Sequence, residues 1–263
     1  WLSIVGQAGM DQSHSEDFQF IPAGVYLDDP SLAEGSRRVN RLTYGTVTAN
    51  LSGSATRQLT ADLQSTTSVG SMYTSETKRG TYAFGRQLPT GTGALGAASA
   101  GFSIDESRQE IVTVGAYARQ QVAWRDRLFL SVAVRGDDNS TFGEEFAFVT
   151  YPSASASWVL SDEPFFPETS TLSSLRLRAA YGQSGQRPGF RQASTFYTPV
   201  AVRLKAVDVS AVTIGGTGNV ALKPERSSEI ELGFDAGLFD NRVALEFTYY
   251  DRTTRDALIA RRL

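Results

Sequence analysis

The sequence predicts an all-β fold, an antiparallel up-and-down β-barrel that crosses a membrane. Apolar and polar residues alternate along many segments, which is the pattern of a strand with one apolar and one wet face. Many of these segments reach about 9–12 residues, the length that a tilted strand needs to cross a bilayer. Long polar connections also largely alternate with short ones, as they do when all short turns lie at one rim of a barrel.

The clearest alternation lies near the end of the chain. Along residues 229–239 the apolar residues share one face: Ile230, Leu232, Phe234, Ala236 and Leu238. Glu229, Glu231 and Asp235 fall on the other face. In a helix these acids would lie on every side of the cylinder, whereas in a strand they all face away from the apolar side. We therefore expect Glu229 and Glu231 to face the lumen of the barrel.

The same pattern, with varying clarity, predicts about nine strands. They lie near residues 1–9, 41–52, 57–70, 112–124, 127–135, 151–160, 175–182, 229–239 and 243–252. In the strand at 175–182, Arg176 and Arg178 alternate with leucines, so we expect these two arginines to face the lumen as well.

The connections between the predicted strands fall into two classes. We expect tight turns at 52–58, 124–128 and 239–243, and long loops at 10–40, 71–109, 136–148 and 183–228. The segment 161–173 stands at a short-turn position but is longer than expected. Trp124 and Trp158 lie near strand ends on the short-turn side, where an aromatic girdle would meet lipid headgroups. In a soluble protein each indole would instead cap a core.

Composition excludes several classes of protein. The 263 residues are 41% hydrophobic and 20% charged, so the chain is neither disordered nor fibrous. It contains no cysteine, which removes disulfides and thiol catalysis. The net charge is -3, and no block of Lys or Arg indicates a nucleic-acid partner. The longest apolar run is too short for a transmembrane helix.

The stretch from Gly218 onward, G-N-V-A-L-K-P-E-R-S-S-E-I-E-L-G, resembles the N-P-x-L-K-P-E-x-S-x-x-x-E-x-G signature of TonB-dependent receptors. It is most similar to the SusC/RagA-like branch, in which the segment up to Arg242 is followed by a tyrosine pair, here Tyr249-Tyr250. Val220 replaces the first proline of the pattern. Pro224 fixes its own φ and lacks an N–H, so it should mark the entry to a strand.

Three upstream segments resemble the same family in the same order. They are R-G-D-D-N-S-T-F-G at 135–143, Y-P-S-A-S-A-S-W at 151–158 and L-R-L-R-A-A-Y-G-Q-S-G at 175–185. The matches together cover about residues 135–255. The first hundred residues match through layout alone.

The resemblance implies a barrel of about 22 strands with an N-terminal plug. About nine strands cannot close such a barrel, so we expect residues 1–263 to be part of the barrel domain. Both ends, Trp1 and Leu263, are interpreted as truncations, and the signal peptide, plug and last strands are expected to be absent from the chain. By the same resemblance, we expect a location in the bacterial outer membrane, in contact with its lipid.

The resemblance also implies active import of nutrients, with glycan or peptide oligomers as the expected cargo. The expected partners are the TonB–ExbB–ExbD complex, acting through the plug, and a SusD-like surface lipoprotein, with no cofactor. Two alternatives stay open. One is a passive outer-membrane channel or adhesin barrel, and the other is a soluble carbohydrate-binding β-sandwich.

The residue pattern predicts no enzyme and no metal site. His14 is the single histidine, and no nucleophile stands at a recognisable spacing from it. The best candidate for ligand binding is the loop 183–228, because aromatic and guanidinium groups suit sugars and peptides alike. Its candidate residues are Arg187, Phe190, Arg191, Phe196 and Tyr197.

Overall fold

A computed structural model describes residues 1–25, 33–143, 148–167, 169 and 171–259. Within these residues the chain forms eleven strands and two short 3-10 turns. The strands are β1 (Leu2–Ile21), β2 (Ser36–Thr60), β3 (Leu63–Arg86), β4 (Ala100–Trp124), β5 (Leu128–Asn139), β6 (Val149–Val159), β7 (Leu172–Gln186), β8 (Phe196–Leu204), β9 (Val207–Gly216), β10 (Glu225–Leu238) and β11 (Val243–Arg255). The described residues contain no helix that is long and apolar enough to span a membrane.

Nine of the strands form one sheet in the order β1-β2-β3-β4-β5-β6-β7-β10-β11, and β8 and β9 pair as a separate hairpin. The pairs from β4 through β11 are antiparallel. The prediction of an antiparallel up-and-down sheet is therefore confirmed. Eight of the nine predicted strands each overlap one strand of this sheet, and the predicted strand at 57–70 spans the end of β2 and the start of β3. The outermost strands, β1 and β11, are not paired with each other in the described part of the chain, so the sheet is an open part of a barrel.

The first four strands correct the prediction of their length. They have 20, 25, 24 and 25 residues, so most of the predicted loops 10–40 and 71–109 are strand. These segments are rich in Ser, Thr and Gly on both faces. The alternation of apolar and polar residues that indicates a strand is therefore weak there. Cross-strand backbone bonds stabilise an extended chain regardless of that alternation.

The predicted turn at 52–58 is also wrong, because these residues lie inside β2. The chain turns instead at Ala61 and Asp62, where the Asp62 N–H donates to Thr60 Oγ1 at 3.3 Å. His14, interpreted as a loop residue, lies in β1 and is 3.0 Å from Thr43 Oγ1.

The other two tight turns are confirmed. Arg125 and Asp126 join β4 to β5 with φ of 51° and 53°. Between β10 and β11, Phe239, Asp240 and Asn241 adopt φ of 54°, 55° and 60°, which asparagine and aspartate tolerate better than most residues. Between β6 and β7 the connection is longer, as expected, and begins with the 3-10 turn Leu160–Asp162.

The predicted loop 183–228 contains more regular structure than the sequence indicated. β7 continues to Gln186, and the β8–β9 hairpin turns at Lys205 and Ala206 with φ of 49° and 68°. Pro224 immediately precedes β10, which confirms its predicted place at a strand entry. Among the described residues few are fully buried, and Pro188 and Pro224 are two of them, because one sheet alone encloses little of its own surface.

The chain divides into two compact units. The first comprises Trp1–Gln7, Ala49–Tyr73 and Thr113–Leu263, and the second comprises Ala8–Thr48 and Thr74–Val112. The second unit contains cation–π contacts of Arg38 with Tyr82 and Phe84, at 5.9 and 5.7 Å from the ring centroids. The grooves described below lie wholly in the first unit.

Candidate functional site

Strand pairing in the first unit separates an apolar face from a polar face. Leu130, Val132 and Val134 of β5 lie on the apolar face and are 46%, 56% and 47% exposed. Leu232 of β10 lies opposite Tyr249 of β11 on the same face, and both are at least half exposed. A broad surface of exposed large apolar side chains is typical of a strand face in contact with lipid.

The two indoles mark the short-turn end of this apolar face. Trp124 and Trp158 are the cross-strand neighbours of Leu128 on its two sides. The Arg125 guanidinium lies 4.9 Å from the Trp124 ring centroid, and Trp158 Nε1 donates to Glu163 at 3.0 Å. An apolar ring with a polar partner at its edge suits the headgroup region of a bilayer.

The polar face carries a groove over β5, β6 and β7, which we call the polar groove. Its floor consists of small residues, because Ser131, Ser155 and Ala180 lie opposite one another on adjacent strands. Ala133, Ser153 and Gly182 form the next row. Two adjoining depressions of about 400 and 750 Å³ share this floor. Side chains this short leave space that a ligand or another part of the protein can occupy.

One arginine of the polar face joins three strands. Arg178 of β7 donates to Asp235 of β10 at 2.9 Å and to Glu246 of β11 at 3.0 Å. Its cross-strand neighbour is Gly233, so no side chain blocks the path of the guanidinium towards β11. Elsewhere on this face, Arg135 contacts both oxygens of Asp137. The charges of these two arginines are balanced within the sheet.

Two other arginines of the polar groove have serine partners only. Arg119 Nε donates to Ser131 Oγ at 3.0 Å, and Arg176 Nε donates to Ser157 Oγ at 2.7 Å. No carboxylate of the described chain forms an ion pair with either guanidinium. Neither guanidinium is therefore neutralised by an ion pair within the described residues.

Strand pairing places the four predicted lumen residues on this polar face. Arg178 is opposite Gly233, Arg176 is opposite Asp235, and Glu229 and Glu231 continue the same side of β10. Sequence reasoning missed Arg119 and the serines of the floor. The signal was present, because Arg119 alternates with the apolar residues of 112–124, but its neighbours depend on strand pairing.

The structure brings together three of the five predicted loop residues. The Arg191 guanidinium lies between two rings, 4.9 Å from the Phe190 centroid and 4.7 Å from the Phe196 centroid. Tyr197 begins the exposed side of the hairpin with Ile214 as its neighbour, and it is 63% exposed. Arg187 is half-buried beside the fully buried Pro188.

Two of the sequence motifs meet in space at the end of β5. Asn139 Nδ2 donates to Thr113 Oγ1 at 2.6 Å, and the Thr141 N–H and hydroxyl donate to Asn139 Oδ1 at 2.9 and 2.7 Å. This buried network presents Gly143 to the segment before Pro224. A Cβ on Gly143 would collide with the Val220 carbonyl, so only glycine permits this approach.

Comparison with known proteins shows where the chain belongs. A family profile described as "TonB dependent receptor-like, beta-barrel" matches residues 6–263. TonB-dependent receptor P26 of Formosa agariphila is 29% identical over 144 residues, which cover 54% of this chain and 14% of that protein. TonB-dependent receptor SusC of Bacteroides thetaiotaomicron is 26% identical over 155 residues, covering 55% of this chain and 15% of that protein.

A solved structure described as the RagAB peptide transporter matches the fold. Its TM-score is 0.87 at 22% sequence identity, over 98% of this chain and 29% of that chain. The chain thus spans less than a third of its relatives' length. Nine strands in one sheet also set aside the β-sandwich alternative. The described residues hold no group of three or more potential metal ligands. The chain belongs to the β-barrel family of TonB-dependent receptors, which are bacterial outer-membrane proteins.

Proposed function

We propose that the protein to which this barrel wall belongs imports a nutrient oligomer across the outer membrane, with energy supplied through TonB. The observation that carries the proposal is the contrast between the two faces of one sheet. One face exposes large apolar side chains suited to lipid, and the other holds the polar groove with its floor of small residues. Membership of the receptor family supports the same function.

The partners we propose are those that membership of the TonB-dependent receptor family and the resemblance of the sequence suggest. Energy coupling would come from the TonB–ExbB–ExbD complex acting on a plug outside these residues. A SusD-like surface lipoprotein would deliver the cargo, and outer-membrane lipid would surround the apolar face. The solved relative is described as a peptide transporter, and the cargo here is proposed to be a glycan or peptide oligomer.

On the loop side, we propose that Phe190, Arg191, Phe196 and Tyr197, with Arg187, contact this cargo. The two rings hold the Arg191 guanidinium at a defined position, and the exposed Tyr197 ring offers an apolar surface for a sugar or side chain. Replacing Tyr197 by Ala should then weaken cargo binding by the full-length receptor without changing its folding.

The decisive experiment measures uptake in the host bacterium. The full-length gene is deleted, restored, and restored in a strain without functional TonB, and growth on defined glycan and peptide mixtures is followed. We expect loss of growth on one class of oligomer in the deletion strain and equally in the strain lacking TonB. Uptake that persists without TonB would identify a passive channel, and unchanged growth in all strains would refute a role in import.

A further inference from the structure

We propose that Arg119 and Arg176 form an anion-binding subsite in the polar groove, which receives carboxylate groups of the transported oligomer. The assignment rests on the proposed import function for the identity of its occupant. Its geometric basis is the pair of guanidinium groups that the sheet holds in position without a carboxylate partner.

The two arginines lie on strands that are not neighbours, but their side chains converge. Arg119 of β4 reaches Ser131 of β5, and Arg176 of β7 reaches Ser157 of β6. Ser131 pairs directly with Ser155, so Ser157 is its diagonal neighbour, at a Cα separation of about 7–8 Å. Both arginines line the same depression of about 400 Å³. One bound ligand residue can therefore reach both guanidinium groups.

The hydrogen bonds to serine involve only the Nε atom of each arginine and leave the terminal nitrogens for a ligand. In each arginine it is Nε that donates to the hydroxyl, and the two terminal nitrogens have no partner in the described chain. Each guanidinium therefore keeps the donors of its terminal nitrogens for an incoming group. A planar fork of this kind fits the two oxygens of a carboxylate.

Two guanidinium groups of the depression, those of Arg119 and Arg176, form no ion pair with a carboxylate of the described chain. Three arginines line the depression, Arg119, Arg176 and Arg178, together with one glutamate, Glu231. Arg178 pairs with two carboxylates, Asp235 and Glu246, which lie outside the lining. An anion would therefore be held by direct contact with the other two guanidinium groups and not by a net positive charge of the groove. Another arginine of the polar face, Arg252, does have a carboxylate neighbour, because its guanidinium lies 3.9 Å from Glu229.

Labelling with phenylglyoxal tests the subsite in the full-length receptor in outer-membrane vesicles. The probes are tetragalacturonate and tetraglutamate, which carry carboxylates, and maltotetraose and tetraserine, which do not. Mass spectrometry follows the rate of modification at each arginine. Arg125, which lies at the β4–β5 turn outside the groove and is paired with Asp62 at 3.2 Å, serves as the internal reference.

We expect at least one carboxylated probe to slow labelling of Arg119 and Arg176 by about tenfold, with no effect at Arg125 and none from the neutral probes. Equal protection by charged and neutral probes, or no protection by any, would overturn the assignment. Labelling that appears only after the plug is deleted would also overturn it, because the plug and not the transported oligomer would then cover the two arginines. Vesicles without TonB suffice, so failed import would not affect this result.

The double variant R119Q/R176Q gives an independent test. Its affinity for the protecting probe should fall by about tenfold or more, while R125Q, which removes a charge outside the groove, should bind as the parent does. The heat-dependent shift in gel migration, which reports a closed barrel, verifies folding of each variant. Parental affinity in a folded double variant would refute the subsite.

Discussion

The two faces of the sheet in the first unit share one backbone but are stabilised in different ways. The apolar face presents large side chains such as Leu232 and Val132, which keep at least half of their surface exposed and therefore gain little from their neighbours. The polar face depends on contacts across strands, as Arg178 shows by joining β7, β10 and β11. Alternation along the same strands therefore produces one face whose side chains make few contacts with one another and one face whose side chains are joined by hydrogen bonds and ion pairs.

This difference determines where charge is tolerated. On a strand face that contacts lipid, an added charge has no partner and faces hydrocarbon, whereas a charge on the polar face finds water or a partner on a neighbouring strand. The apolar face should thus respond strongly to single substitutions. On the polar face, the loss of stability after a substitution should increase with the number of hydrogen-bond and ion-pair partners of the replaced residue.

The strongest test places an arginine on each face. Leu232→Arg should destabilise the folded barrel by about 2–4 kcal/mol, because the guanidinium would face the bilayer interior. Ser155→Arg, on the polar groove floor, is the matched control and should cost far less. Reversible denaturant unfolding of the full-length receptor in phospholipid vesicles measures both. Equal losses would show that the two faces are not distinguished by lipid.

The contact between the two sequence motifs gives the next largest effect. Gly143→Val should cost about 1–3 kcal/mol and loosen the segment 218–224, because the new side chain would collide with the Val220 carbonyl. Hydrogen exchange of that segment and denaturant unfolding report the change. Gly45→Val in β2 is the control, since a Cβ there meets nothing within 4 Å. Unchanged exchange in the Gly143 variant would contradict the packing.

The polar face offers a comparison between a paired and an unpaired arginine. Arg178→Met should cost about 1 kcal/mol, a value reduced by the partial exposure of the pair, because Asp235 and Glu246 lose their shared donor. Arg176→Met, which loses only a serine contact, should be close to neutral. Denaturant midpoints at low and high salt measure both. The loss of stability in Arg178→Met should shrink in high salt. Equal losses in the two variants would show that the ion pairs of Arg178 do not contribute.

The smallest effect is expected for an exposed ion pair in the second unit. Glu16 lies far along β1, beyond the roughly 9–11 residues that a tilted strand needs to cross a bilayer. A hydrogen bond from Arg41, with its positive charge, lowers the pKa of the Glu16 carboxyl below its ordinary value of 4.5. The pair therefore stabilises β1 and β2 above that value and is lost as pH falls through the lowered pKa.

Hydrogen exchange of β1 from pH 7 to pH 3 detects this contribution. The parent should gain exchange at acid pH relative to Glu16→Gln, whose side chain does not titrate. Because the pair is exposed, the difference should be small and should vanish in high salt. A large difference that persists in salt would point to another titrating group.

The sequence by itself determined the strands from β5 to β11 that belong to the main sheet. Residues 229–239 alternate large apolar side chains with acids, and this contrast fixes both the strand and its two faces. Alternation also determined the face of the sheet on which Arg176, Arg178, Glu229 and Glu231 lie, because successive side chains of a strand point to opposite faces. The turn at 239–243 was predictable from Asp240-Asn241 for the same local reason.

The tertiary structure alone decided the rest. The full length of β1 to β4 could not be predicted, because small polar residues on both faces carry no period and only pairing with neighbours shows the strand. Likewise, alternation gives Arg178 and Arg176 the same face, but only strand register shows that the first meets Glu246, 68 residues away, and the second meets a serine. The alternation of side chains can be read within one strand, whereas the ion-pair partners of an arginine depend on which strands lie side by side.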